Sequence, residues 1–252
     1  MNNIIKYNIV IALVSLAFFS CKKAEERNCF KTAGEETSLI INLENSFDSL
    51  ELYGNIIYNL IPDTLNKVVL EGGENLLPHI DVDYISPKRY KVSNENKCNF
   101  LRSYKKKVTA NIHFKELGFI YFEGSENLTT LDTLKSSEFR MKIRDGAGSV
   151  NLLVENGYTS VVVTHGFGDF TIAGSSLITF LQCRTNSFCD ARNLKTQNYI
   201  RAMSETQGEM KINADNTKLE AVINRGGNIL YQGEPTDIEL EKEGEGNLIN
   251  ID

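Results

Sequence analysis

The chain has 252 residues, of which 41% are hydrophobic and 24% are charged, and its formal net charge at pH 7 is −6. This acidic balance argues against a nucleic-acid partner, because binding to phosphates requires a basic patch. Electrostatic docking on anionic lipid is disfavoured for the same reason.

Residues 1–20 have the pattern of an export signal. A single lysine, Lys6, precedes an apolar run that is interrupted only by Ser15 and is too short for a comfortable membrane span. Cys21 follows this run, as in bacterial lipoprotein signals, so we predict cleavage before Cys21 and lipidation of its thiol. Phe18 stands where those signals usually have leucine, and the alternative is an ordinary cleaved signal with a spare thiol.

Residues 21–37 begin with a polar run and predict a solvated tether between the anchor and the fold. The run Lys23–Glu26 resembles the short acidic signals that send some Bacteroidota lipoproteins to the cell surface. We therefore predict a lipid-anchored protein of the outer membrane that faces either the periplasm or the cell surface. Removal of residues 1–20 leaves a chain long enough for one sizeable core or one elongated repeat domain.

Residues 38–122 contain short apolar alternations, such as Leu50 with Leu52, between longer turns. Alternation with a period of two predicts strands that bury one face. No Pro- or Ser-rich linker separates this region from the rest of the chain. We predict that it forms wide, irregular first coils that cap the N-terminal end of a single domain spanning residues 38–252.

Residues 123–252 contain seven similar units of roughly 20 residues. Each unit contains a three-residue corner segment of mostly small residues, often glycine, followed by an apolar alternation. The third residue of this corner segment is residue 126, 148, 168, 187, 208, 227 or 246 in the seven units. The differences between successive positions are therefore 22, 20, 19, 21, 19 and 19. So constant a period is typical of a solenoid, and each unit is predicted to consist of a strand, a sharp corner, a second strand and a turn.

Two folds could bury the apolar side of such units, namely an antiparallel β-sandwich of hairpins and an all-β parallel β-helix with one unit per rung. Hairpin tips favour Asn-Gly or Asp-Gly between their strands. Here Gly-x-Gly segments, such as Gly146–Gly148 and Gly244–Gly246, recur at one phase of the repeat. Stacked glycine corners let backbones approach without a Cβ clash. We therefore prefer the parallel β-helix, with the antiparallel sandwich as the alternative.

Several segments of the chain resemble one known family. They are Phe47–Leu50, the repeated Gly-x-Gly corners, and Tyr231–Pro235 followed by Gly244–Gly246. Over residues 38–252 the chain resembles the auto-transporter adhesin head GIN domain family, whose members are exported, usually lipid-anchored proteins of Bacteroidota. The resemblance implies a right-handed, single-stranded parallel β-helix. It implies little about a ligand, because a fold does not determine a function.

Four cysteines remain after Cys21, which is an even number in an exported chain. Cys29 lies in the tether and Cys98 lies outside any regular apolar run, so a disulfide between them is a candidate link between tether and domain. Cys183 and Cys189 flank one corner. The repeat register places Cys189 inward as a small hydrophobic residue. A disulfide between Cys183 and Cys189 is the alternative, but two strands that meet at an angle do not readily provide the geometry that such a bond requires.

Residues with catalytic or metal-binding chemistry are scattered along the chain. His79, His113 and His165 are far apart, and none has a histidine or cysteine at zinc-ligand spacing. The sequence has neither a Gly-x-Ser-x-Gly elbow nor a phosphate-loop motif. We therefore predict a non-enzyme without a catalytic residue, a cofactor or a metal site.

The predicted function is adhesion or assembly at the cell envelope, through protein or glycan contacts of the flat faces of the β-helix. The alternative is a protein that binds or processes an envelope polysaccharide in a groove, for which Asp145, Asp190 and Glu209 are the acids that could stand together. A line of aromatic rings with convergent carboxylates would favour the glycan role, whereas a flat mixed surface would favour protein contact. Five tyrosines of the first half are candidate ligand contacts: Tyr53, Tyr58, Tyr84, Tyr90 and Tyr104.

Overall fold

A computed structural model of the protein describes residues 32–96, 106–146 and 148–252, and its regular structure consists almost entirely of β-strands. The strands are, in chain order, β1 (Glu36–Asn42), β2 (Ser49–Gly54), β3 (Ile56–Pro62), β4 (Lys67–Gly73), β5 (Ile80–Ser86), β6 (Arg89–Asn94), β7 (Val108–Phe114), β8 (Phe119–Gly124), β9 (Leu128–Thr130), β10 (Leu134–Arg144), β11 (Val150–His165), β12 (Phe170–Thr185), β13 (Cys189–Thr206), β14 (Met210–Asn213), β15 (Lys218–Ile223), β16 (Ile229–Gln232), β17 (Asp237–Lys242) and β18 (Leu248–Asn250). A short 3-10 turn, Leu77–His79, lies between β4 and β5. None of the described segments contains a helix with the length and hydrophobicity needed to cross a bilayer.

The repeated part of the chain forms a parallel β-solenoid of about seven turns. Val150 on β11 pairs with Leu128 on β9 and with Phe170 on β12, and Phe170 pairs in turn with Cys189 on β13. The sequence offset within each pair equals the gap between the corresponding corners. The predicted parallel β-helix is therefore confirmed, and the alternative antiparallel sandwich is excluded.

Each winding of the solenoid crosses two faces. Face I consists of the segments before the corners, which are β8, residues 138–144 of β10, 158–165 of β11, 178–185 of β12, 199–206 of β13, β15 and β17. Face II consists of the segments after the corners, which are β9, residues 150–156 of β11, 170–176 of β12, 189–196 of β13, β14, β16 and β18. In β11 the buried positions change from even to odd numbers around Gly157, because the chain turns there from face II to face I.

The core lies between the two faces and consists of stacked rows of apolar side chains. One row runs through Val150, Phe170, Cys189, Met210 and Ile229, and every member is buried. Burial of one Val, Ile, Phe or Met side chain contributes about 1.5–3 kcal/mol. Because each side chain in the row is covered by its neighbours above and below, a winding depends on adjacent windings for its stability.

Glycines at the corners allow successive windings to touch backbone to backbone. A Cβ atom on Gly148 would collide with the carbonyl oxygen of Glu126, and one on Gly227 would collide with the carbonyl oxygen of Gly208. Neither Gly148 nor Gly227 has a positive φ angle. These corners therefore require glycine because of the close approach and not because of an unusual backbone conformation.

The windings at the N-terminal end are not stacked in chain order. β2 pairs in parallel with both β6 and β8, and β3 pairs in parallel with both β7 and β9, so β6 and β2 continue face I while β7 and β3 continue face II. The winding of β6 and β7 thus lies outside the earlier winding of β2 and β3. Antiparallel pairs of β4 with β1 and β7, and of β5 with β6, lie at this end. β1 begins at Glu36, inside the segment predicted as tether.

The last winding has an open side in the described part of the chain. Ile238 and Leu240 on β17 continue the inward rows of Leu219 and Ala221 on β15. Their side chains are nevertheless 42% and 50% exposed. The alternation predicted from the sequence is therefore present, but no further described strand covers it.

Candidate functional site

Three cysteines with predicted roles, Cys21, Cys29 and Cys98, lie outside the described residues. Lipidation of Cys21 and the Cys29–Cys98 disulfide therefore stay predictions. Cys183 and Cys189 are both buried and are free thiols. Burial, together with the neighbouring Cys183 thiol, raises the pKa of Cys189 well above its usual value. Cys189 thus has the inward position that the repeat register predicts.

The histidines lie in separate parts of the solenoid. His113 Nδ1 on β7 lies 2.8 Å from Asp63 Oδ2, and the hydrogen bond between these side chains lowers the pKa of Asp63. His165 Nδ1 lies 2.6 Å from Asp145 Oδ1 beside a corner, and His79 ends the 3-10 turn. Among the described side chains, no group of three His, Cys, Asp or Glu residues could hold a metal ion.

The three acids considered for glycan processing do not form one site. Asp190 accepts hydrogen bonds from the Arg192 guanidinium, and these bonds lower the pKa of Asp190. Asp145 forms a hydrogen bond with the His165 ring. A carboxylate oxygen of Glu209 lies 3.9 Å from Lys211 Nζ. Each carboxylate therefore has its own basic neighbour. Glycoside cleavage requires two carboxyl groups that face one bond, and none of the described contacts joins two of these acids.

The tyrosines of the first half divide between the core and the surface. Tyr58 is buried, and its hydroxyl donates a hydrogen bond of 3.2 Å to the carbonyl oxygen of Val92. Tyr90 is also buried, and the exposed Tyr84 packs against it with ring centroids 5.1 Å apart. Tyr104 lies outside the described residues. The predicted tyrosine surface is therefore smaller than the sequence indicates.

Tyr53 and Tyr121 form a small aromatic platform on the outer surface of face I. Their ring centroids are 5.6 Å apart. The Tyr53 hydroxyl donates to Glu51 at 3.0 Å, and the Tyr121 hydroxyl donates to Glu123 at 2.7 Å. Burial and these carboxylates raise the pKa of both tyrosines, so both hydroxyls remain protonated hydrogen-bond donors at neutral pH.

An apolar plate lies at the centre of the outer surface of face I. The name central plate is used here for five outward side chains of β11, β12 and β13: Tyr158, Ile178, Phe180, Tyr199 and Met203. Ile178 is 39% exposed, and the other four are half-buried. The Tyr199 hydroxyl donates to Glu220, and burial together with this hydrogen bond raises the pKa of Tyr199 to about 12.

Opposite charges border the central plate at its two ends. On β10, Arg140 and Lys142 lie in the outward rows of face I, and the Arg140 guanidinium lies 4.9 Å from the ring centroid of Tyr158. On β17, Glu239 and Glu241 lie in the same two rows. Between β10 and β17 the outer surface of face I is therefore basic at one border, apolar at its centre and acidic at the other border, and β8, β2 and β6 extend face I beyond the basic border.

Sequence reasoning did not find the central plate. The inward alternation of the strands gives a periodic signal, whereas the outward residues of successive windings differ in type. The one local signal is that some strands before the corners are apolar on both sides, as in Phe180 beside Leu181 and Val162 beside Val163. Such runs also occur in strands that are buried on both faces, so the run alone does not identify a surface.

Two open clefts lie near the turns between the faces. One has a volume of about 410 Å³ and is lined by side chains that include Asp48 and Glu138, and the other has a volume of about 330 Å³ and includes Lys195 and Asp215. Neither of these clefts is lined by an aromatic side chain. They therefore lack the aromatic rings expected of a glycan groove.

The chain matches the family model described as "Putative auto-transporter adhesin, head GIN domain" over residues 46–235. No curated protein matches this chain.

Solved structures with a similar fold include three putative adhesins from bacteria. A putative adhesin from Bacteroides fragilis is 22% identical, with a TM-score of 0.77 over 86% of this chain and 97% of that chain. Putative adhesins from Parabacteroides distasonis and Parabacteroides merdae are 19% and 17% identical, with TM-scores of 0.65 and 0.60. The match to the Parabacteroides distasonis protein covers 86% of this chain and 98% of that chain. The match to the Parabacteroides merdae protein covers 88% of this chain and 98% of that chain. At these identities the similarity concerns the fold alone.

Proposed function

Because the chain belongs to the putative auto-transporter adhesin, head GIN domain family, we propose that it is a non-catalytic adhesion or assembly module of the cell envelope. The outer surface of face I is the part that makes contact. The observation that supports this role is the central plate, with its charged border. Aromatic residues, Met and Arg are the types enriched at the centres of protein interfaces.

The central plate is contiguous, and this distinguishes it from scattered surface residues. Tyr158, Ile178 and Tyr199 are register partners on three adjacent strands, and Phe180 lies two residues from Ile178 on the same side of β12. Single exposed apolar residues are normal, but a contiguous patch with a polar border is typical of an interaction surface. A flat sheet of this kind fits the broad surface of a protein better than a small molecule.

Binding of the immobilised protein to isolated envelope material tests the proposal. We expect binding that is destroyed by protease treatment of the envelope material, and that is lost in the variant Ile178→Lys. The matched control is Leu153→Lys, because Leu153 is also 39% exposed but points outward from face II. Equal binding by both variants would contradict the assignment to face I.

Glycan binding is the second candidate function, and the platform of Tyr53 and Tyr121 favours it. Two adjacent rings offer an apolar surface for sugar rings, while Glu51 and Glu123 could accept hydrogen bonds from sugar hydroxyls. In the same binding assay this role predicts sensitivity to periodate oxidation of the envelope material. It also predicts loss of binding in Tyr53→Ala, with Ile178→Lys unaffected.

Anchoring through a lipid on Cys21 is part of the proposal, and it is supported by the export pattern of residues 1–20. Two or more acyl chains on one cysteine would hold the protein at the membrane without a spanning segment. We expect the wild-type chain to incorporate labelled fatty acid and to partition into detergent, and Cys21→Ala to do neither. Cys29→Ala is the matched control. Lipid incorporation by Cys21→Ala would refute the assignment, as would its absence from the wild type.

A further inference from the structure

The outer surface of face I is asymmetric in charge along the axis of the solenoid. Between β10 and β17, one outward row runs from Lys142 to Glu241, a second from Arg140 to Glu239 and a third from Glu138 to Asp237. Beyond β10 the first two rows continue through β8, β2 and β6. The residues between Lys142 and Glu241 are Val162, Gln182, Met203 and Val222. Five strand spacings of about 4.8 Å put the ends of a row about 24 Å apart. This exceeds the Debye length of about 8 Å at physiological ionic strength, so the two ends do not neutralise each other within one molecule.

We propose that this surface is the contact of a homodimer in which two copies pack face to face about a twofold axis parallel to the strands, between β12 and β13. The inference rests on the proposed function, because it names a second copy of the chain as the partner of the same surface. The axis places β10 of one copy opposite β17 of the other, β11 opposite β15, and β12 opposite β13. Each outward row of one copy therefore lies opposite the same row of the second copy, in the reverse order.

Charge selects this axis from the two that lie in the plane of the face. With the axis parallel to the strands, Lys142 meets Glu241 of the second copy and Arg140 meets Glu239 of the second copy, and each contact occurs twice. In the third row Glu138 meets Asp237 of the second copy, but within its own copy Glu138 is paired with Arg140 and Asp237 with Lys218. With the axis along the solenoid, every strand lies opposite its own copy, so Lys142 meets Lys142 and Glu241 meets Glu241. A twofold contact requires a self-complementary surface, and like charges in contact are strongly unfavourable. The first axis therefore joins opposite charges in two of the three outward rows, whereas the second sets Lys142 and Glu241 each against a like charge.

The central plate lies at the middle of this contact. The same axis places Ile178 opposite Tyr199, and Phe180 opposite Arg201, where a guanidinium can stack on an aromatic ring. Arg201 is already oriented by Glu220, whose Oε1 lies 3.2 Å from Arg201 Nε. Ile178 and Tyr199 thus cover each other, while Tyr158 lies opposite Lys218 and Met203 lies opposite Gln182 of the second copy.

The size of the surface is sufficient for a specific dimer. Six strands span about 29 Å and seven residues of each strand span about 23 Å, which gives roughly 650 Å² for each copy. The two copies together would bury about 1,300 Å², within the range of about 1,200–2,000 Å² for specific interfaces.

Sedimentation equilibrium of the purified full-length chain tests the inference by charge exchange. The wild type is expected to dimerise, and Lys142→Glu and Glu241→Lys are each expected to weaken dimerisation by about tenfold or more, because each creates two like-charge contacts. A mixture of the two variants is expected to dimerise again, since both contacts between positions 142 and 241 then join opposite charges. Lys195→Glu is the matched control, because Lys195 is exposed on face II, and it should dimerise as the wild type does.

Recovery of the dimer in the mixture is the decisive result, because misfolding of either variant cannot produce it. A wild type that stays monomeric, or a dimer that neither variant weakens, would overturn the inference. The second copy and an envelope partner would occupy the same surface, so envelope binding is measured with the chain immobilised at low density, where it is monomeric. A monomeric chain that binds envelope material through Ile178 refutes only the dimer, and a dimer that binds no envelope material refutes only the adhesion role.

Discussion

Replacement of Ile172 gives a direct test of the inward rows of the solenoid. Ile172 on β12 is fully buried and pairs with Leu152 on β11. Removing its three outer carbons costs about 2.4 kcal/mol at about 0.8 kcal/mol for each buried carbon, and the resulting cavity brings the loss for Ile172→Ala to about 3–4 kcal/mol. Ile172→Asp in addition buries a carboxyl group without a partner, which adds several kcal/mol. Since domains are stable by only about 5–15 kcal/mol, we expect Ile172→Asp to abolish folding.

Urea unfolding measures both variants. The chain has no tryptophan, so the transition is followed by far-ultraviolet circular dichroism and tyrosine fluorescence, and the free energy of unfolding is extrapolated to water. Leu153→Asp is the matched control, because Leu153 follows Leu152 on the same strand but points outward, and its effect should stay within about 0.5 kcal/mol. An Ile172→Asp protein with the wild-type transition would refute the assignment of the inward rows.

Three further predictions concern the corners, the surface charges and the buried thiols. Gly227→Val is expected to lower the urea midpoint strongly, because the new Cβ would meet the carbonyl oxygen of Gly208; an unchanged midpoint would show that the corners can separate. The pKa of Asp190 is lowered by its hydrogen bond with Arg192, so its contribution to stability is complete above the ordinary value of 3.8 and is lost as the pH falls below it. Stability of Asp190→Asn should therefore fall less steeply in acid than that of the wild type, and parallel curves would contradict this. Cys189 should resist iodoacetamide in the native protein and react after unfolding in urea, as mass spectrometry can measure, because burial raises its pKa and the thiolate is the reactive form; rapid native labelling would place the thiol at the surface.

The register of the repeated windings could be read from the sequence. The gap between two corners is the length of one winding, and parallel stacking makes this length the offset between paired strands. Val150 and Phe170 are separated in the sequence by one such gap and are partners in the structure. The inward position of Cys189 follows from the same offsets, because side chains on a strand alternate with a period of two.

The amino-acid sequence by itself determined the class of fold, the phase of the corners and the inward side of most strands, because these depend on a local period that every unit repeats. Only the tertiary structure decided the order of the first windings, in which β6 lies outside β2 although it follows β2 in the chain. It also decided which outward residues become neighbours. Lys142 and Glu241 carry no signal of belonging to one row, since each outward position is constrained only by the strands beside it and by solvent. Pairing between distant windings therefore creates the surface.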